Sequence, residues 1–83
     1  MGRVSQQGVD PEHDPEGWAR EHVHVTATPH GRTALRYLAQ IRASGLVFEG
    51  RADGDVSPGH AAEKRAIDEA VAAYLDFVVR VRS

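Results

Sequence analysis

From Glu21 to Thr28 the chain reads EHVHVTAT, with apolar Val23, Val25 and Ala27 alternating with His22, His24, Thr26 and Thr28. A period of two with β-branched enrichment predicts a half-buried strand. The period then lengthens. Between Pro29 and Ser44, residues Ala34, Leu35, Leu38 and Ile41 share one side at 100° per residue, and Arg32, Arg36 and Gln40 share the other. That spacing predicts an amphipathic helix, with Thr28-Pro29 as cap and first turn and Gly45 as a permissive stop.

The next apolar run, Leu46–Arg51, suits a second strand, and Ala52–Asp55 reads as a turn. Ser57-Pro58 repeats the cap-plus-proline device. From there to about Val81, Ile67, Ala70, Val71, Tyr74, Leu75, Phe77, Val78 and Val81 form a wide apolar arc, while Arg65, Glu69, Asp76 and Arg80 line the far side. Residues 1–17 have only Val4 and Val9 as sizeable apolar groups among prolines, glycines and acids, and read as an acidic tail. Trp18 follows as its anchor.

The expectation is one small two-layer α+β domain over residues 18–83, of order tail-β-α-β-α, with the strands parallel across a helical crossover. A closing helix about 36 Å long would overhang so small a body. Two strands alone would also leave both sheet edges open. Both features point to a homodimer, with Tyr74, Phe77, Val78 and Val81 at the interface.

Charge changes the picture further. The chain has a net charge of −2, yet its 27 residues from His22 to Phe48 contain no Asp or Glu. The acids lie in the flanks. Residues 1–21 sum to −3, two arginines against five acids, and residues 49–83 to −2, five bases against seven acids. Segregated charge gives a small domain a cationic surface for an anionic partner. The expected partner- or anion-binding residues are His30, Gly31 and Arg32 at the helix start, with Arg36 and Arg42 along its outer face.

With 83 residues and no cysteine, disulfide frameworks and thiolate metal sites are excluded. No apolar stretch is long enough for a membrane span, and the polar N-terminus lacks the apolar centre of a signal peptide, so the expected compartment is the cytoplasm. No nucleophile elbow, phosphate-binding glycine loop or calcium loop is present, so no enzyme and no cofactor is expected.

The leading expectation is therefore a non-catalytic interaction or regulatory module that docks its arginine face on an acidic protein, in the manner of a small phage or mobile-element inhibitor. A dimeric DNA-binding regulator using the same face on phosphates is one alternative. A metal-binding protein is another, since His22 and His24 would share one strand face as a chelating pair.

Overall fold

A computed structural model describes residues 12–55 and 60–82. Five elements follow in order: helix α1 (Pro15–His22), strands β1 (His24–Pro29), β2 (Ala34–Ala43) and β3 (Leu46–Asp55), and helix α2 (His60–Arg82). The strands form one antiparallel sheet of order β1-β2-β3. Both helices lie on the same side of it, α2 across β3 and β2, and α1 beside α2.

The α+β class and the long closing helix are as expected, and strands stand on both sides of the middle segment. That middle segment is the main correction: residues 34–43 are strand β2, not a helix, and the sheet is antiparallel, not a parallel βαβ unit. Its second periodicity explains why. Leu35, Tyr37, Ala39, Ile41 and Ala43 also alternate with Arg36, Leu38, Gln40 and Arg42. The first set turns toward the helices, where Tyr37, Ala39 and Ile41 are buried, while Arg36 and Arg42 are exposed on the opposite face.

Ser44-Gly45 is therefore a hairpin turn between β2 and β3, not a helix end. Ser44 at φ 54° and Gly45 at φ 76° are both left-handed, as a type I′ two-residue turn requires. Ala52–Asp55 likewise belongs to β3, not to a turn. Pro29 closes β1 and opens no helix. The chain crosses from β1 to β2 through His30–Thr33, closed by His30 N–H donating to the Ala34 carbonyl at 2.9 Å.

α1 begins at Pro15, inside the stretch expected to be tail, with Asp14 as N-cap accepting from Gly17 N–H at 3.1 Å. Residues 1–11 of that tail and the Ser57-Pro58 cap lie outside the described residues. Trp18 belongs to α1, and its ring stands 5.4 Å from that of Tyr74.

The core is small-on-small. Ala62, Ala66 and Ala70, at i, i+4 and i+8 on α2, face Gly50 and Gly54 of β3. Ile41, Val71, Tyr74 and Ala19 fill the space around them, with Phe48 edge-on to Tyr74 at 5.5 Å. Alanine and glycine leave so little side chain that helix and strand main chains meet almost directly. Burying Ile41 and Val71 stabilises by about 1.5–3 kcal/mol each.

Candidate functional site on the open sheet face

With both helices on one side, the other side of the sheet is open among the described residues. It carries His24, Thr26 and Thr28 from β1, Arg36, Leu38, Gln40 and Arg42 from β2, and Val47, Glu49, Arg51 and Asp53 from β3. The arginines expected on one helix face are thus distributed along a strand. Arg36 and Arg42, six residues apart, stand about 20 Å from each other at 3.4 Å per residue, and Arg32 lies in the β1–β2 loop beyond Arg36.

At the Arg36 end the charge is already met. Arg36 Nε donates to Asp53 Oδ1 at 3.0 Å, and its Nη2 donates to His30 Nε2 at 3.2 Å. A guanidinium can only donate, so His30 holds its proton on Nδ1. Pairing with Arg36 keeps the Asp53 carboxyl below the usual carboxylate range. The anion site expected at the start of a helix has no helix to support it. His30, Gly31 and Arg32 form instead an exposed turn with Gly31 at φ 83°.

Elsewhere the same neutralisation recurs. Arg51 pairs with Glu49 at 3.3 Å, Arg80 with Asp76 at 3.2 Å, and Lys64 with Asp68 at 3.2 Å. Arg20 takes Glu16 at 3.2 Å and Asp68 Oδ1 at 3.0 Å; the latter is a close ion pair whose angle lies outside hydrogen-bonding range. Arg20, and after it Lys64, holds the Asp68 carboxyl below its ordinary value.

The Arg42 end differs. Here His24, Gln40 and Arg42 from the sheet and His22 from the last turn of α1 line a recess of about 370 Å³. Arg42 is exposed and makes no ion pair among the described residues. Gln40 Nε2 donates to Glu49 Oε2 at 2.9 Å and so fixes the floor. His22 is stacked on Trp18, with ring centroids 4.4 Å apart, and its Nδ1 donates to the Trp18 carbonyl at 2.8 Å. A carbonyl can only accept, so Nδ1 carries the proton and Nε2 remains available. On the other side of Arg42 a second recess runs along the hairpin to Leu46 and Val47, both about half exposed.

His22 and His24 therefore share a recess without sharing a strand, since His22 belongs to α1. Their companion is a guanidinium, which repels a cation. No three His, Asp or Glu side chains among the described residues are grouped to hold a metal ion.

Of the residues expected at a dimer interface, Tyr74 is 5 % exposed and packed on Trp18 and Phe48 of its own chain, so it is a core residue. Phe77 packs on Phe48 at 5.1 Å, and Val78 is half-buried. Val81, 65 % exposed in the last turn, is the one left uncovered. There Arg82 Nη2 donates to the Glu12 carbonyl at 2.8 Å, which ties the start of the described chain to its end.

The recess could be found only once β2 was recognised as a strand, because that assignment puts Gln40 and Arg42 beside His24. The sequence signal was the Leu35–Ala43 alternation ending at Ser-Gly.

The chain matches no known protein family, no curated protein and no solved structure. The functional reading rests on geometry. No helix among the described residues is long and apolar enough to cross a membrane.

Proposed function

We propose that this protein is a non-catalytic interaction module of the cytoplasm that binds an acidic protein partner through the Arg42 end of its open sheet face. The observation that carries the reading is the contrast between the two ends of β2. Arg36 is satisfied within the molecule, whereas Arg42 lines a recess with His22, His24 and Gln40 and has no carboxylate paired to it among the described residues. A partner carboxylate can meet the Arg42 guanidinium in charge-assisted hydrogen bonds at this recess. The neighbouring Leu46–Val47 surface suits an apolar residue next to that carboxylate. The partner motif is thus an acidic side chain flanked by an aliphatic one.

Two observations favour a protein over nucleic acid. Phosphates would have to displace intramolecular carboxylates from Arg20, Arg36, Arg51 and Lys64, which weakens the electrostatic gain that duplex binding depends on. The arginines of the sheet and its loop that lack a carboxylate partner among the described residues, Arg32 and Arg42, also sit at opposite ends, with the Arg36–Asp53 and Arg51–Glu49 pairs between them. A catalytic role has less support: the carboxyls perturbed by neighbours, Asp53 and Asp68, are held ionised, away from the near-neutral values that proton transfer uses.

The test is fluorescence anisotropy with two labelled probes, a glutamate–leucine peptide and a random DNA duplex. The peptide binds, and Arg42→Glu weakens it at least tenfold, equivalent to about 1.4 kcal/mol, while Arg36→Glu changes it little. Duplex binding that survives physiological salt and is lost in Arg36→Glu would replace this reading with the nucleic-acid one.

A further inference from the structure

The two outer strands of the sheet are treated differently by the rest of the described residues. On β3, the Arg51 N–H that points away from β2 donates to Glu69 Oε1 at 2.8 Å, and the Asp53 carbonyl accepts from Arg65 Nη2 at 3.2 Å. Arg65 and Glu69 stand one turn apart on α2. The helix thereby occupies the edge that β3 would otherwise offer to another strand.

β1 has no such guard among the described residues. Counting alternate pairs back from the His30–Ala34 closure, Thr28, Thr26 and His24 exchange main-chain bonds with Arg36, Leu38 and Gln40. Val25 and Ala27 therefore direct their N–H and C=O groups away from the sheet. Pro29 has the same parity and no N–H to leave unpaired, which is where an edge strand accommodates proline. Neither helix lies over β1, and Ala27 is exposed.

We infer that this edge pairs with β1 of a second copy of the chain, antiparallel, about a twofold axis passing at Thr26. In that register Val25 faces Ala27 of the second copy, and Ala27 faces its Val25. Every outward N–H and C=O of both residues then finds a partner. Thr26 faces Thr26, a favourable cross-strand pair, and His24 faces Thr28, so no arginine, lysine or carboxylate opposes its like. Shifting the register by two residues would set Val25 against Pro29, which cannot donate. The self-complementary spacing selects a second copy over an arbitrary peptide, and the capped β3 edge stops assembly at two.

The product doubles the three-stranded sheet into one continuous sheet. All helices lie on one side and both Arg42 recesses on the other. The two His24 positions would stand about 14 Å apart, from the strand rise and spacing. The inference does not depend on what the recess binds.

Sedimentation velocity at micromolar concentration tests it. The wild-type chain sediments at twice 9.0 kDa. Thr26 is exposed, so Thr26→Lys and Thr26→Glu keep the far-ultraviolet circular dichroism of the wild type, and each weakens dimerisation on the order of tenfold at low salt through like charges about 5 Å apart. Mixing the two variants restores the dimer. Ala27→Pro, which removes one outward N–H per chain, weakens it independently. A 9.0 kDa wild-type species overturns the proposal. So does a dimer indifferent to Thr26→Lys and Ala27→Pro, or growth into larger assemblies.

Discussion

Replacing Gly50 with alanine adds one methyl group at the closest approach in the molecule. A Cβ built there overlaps the Ala66 carbonyl oxygen and the Ala70 nitrogen and stands 2.8 Å from Glu69 Cβ. Carbon atoms pack favourably at about 3.5–4.0 Å, so α2 must retreat from β3 by about 1 Å. Two of the obstacles are helix main chain, which cannot rotate aside as a side chain would. Retreat loosens Ala62, Ala66, Ala70 and Val71 against the sheet together and pulls Glu69 from the β3 edge. Overpacking costs about 1–3 kcal/mol, and main-chain obstruction places Gly50→Ala near the upper end. A domain of this size is stable by about 4–12 kcal/mol, so a loss of about 3 kcal/mol lowers the Tm by about 12–24 °C. Thermal melts followed by circular dichroism read this directly. Gly45→Ala is the internal control: its φ of 76° strains any L-residue, yet its Cβ would meet nothing within 4 Å, so only the left-handed cost of about 1–2 kcal/mol applies. At Gly54 the obstacle is the Ala62 side chain. Gly54→Ala is therefore partly rescued by Ala62→Gly, less the helix cost of about 1 kcal/mol. A Gly50→Ala variant as stable as Gly45→Ala would refute the reasoning, because α2 could not then rest on β3 through the alanine–glycine contact.

Other outcomes follow from the same geometry. Ser44→Asn places a residue better suited to the left-handed first position of the hairpin turn and stabilises by about 0.5 kcal/mol; an unchanged or lower urea midpoint contradicts the turn assignment. Acid weakens the fold through Asp53 and Asp68, whose carboxyls are held low by Arg36 and by Arg20 with Lys64. A depressed folded-state pKa contributes stability that is fully present above the unfolded value of about 3.9 and is lost as pH falls through the folded value. The Tm therefore declines below about pH 4, and the decline is shallower in Asp53→Asn and Asp68→Asn; equal slopes would show that these pairs play no part.

How much of this was legible varies by element. α2 was plain, because its apolar arc fits one period over many turns and no alternative period competes. β1 was visible from its alternation, although its first two expected residues, Glu21 and His22, belong to α1. α1 itself was hidden. It is only eight residues long, begins within the stretch of prolines, glycines and acids that reads as tail, and owes its place to Trp18 packing on Tyr74. Such a helix has little stability of its own.

The segment from Ala34 to Ala43 is the instructive failure. It is rich in alanine, leucine, arginine and glutamine, all good helix formers, and its apolar residues satisfy both the 3.6 and the 2.0 period. Leu38 is what made the helix attractive, and it is the residue that sits on the open face among Thr26 and Arg51. That error carried the site with it. The acid-free stretch was real, but a helix would have gathered Arg32, Arg36 and Arg42 into one surface, while a strand spreads them over its length.

Local chemistry alone determined the α+β class, the terminal amphipathic helix, the strand before Pro29 and the separation of bases from acids along the chain. Those depend on the order of side chains and on the periods at which they recur. Tertiary structure decided the identity of β2, the antiparallel pairing and the capped and uncapped edges. It also decided which arginine meets an internal carboxylate. The physical reason is that a segment compatible with two periods takes the one its neighbours can bury. Here the Ser44-Gly45 turn and the alanine face of α2 offered Tyr37, Ala39 and Ile41 a covered surface only as a strand.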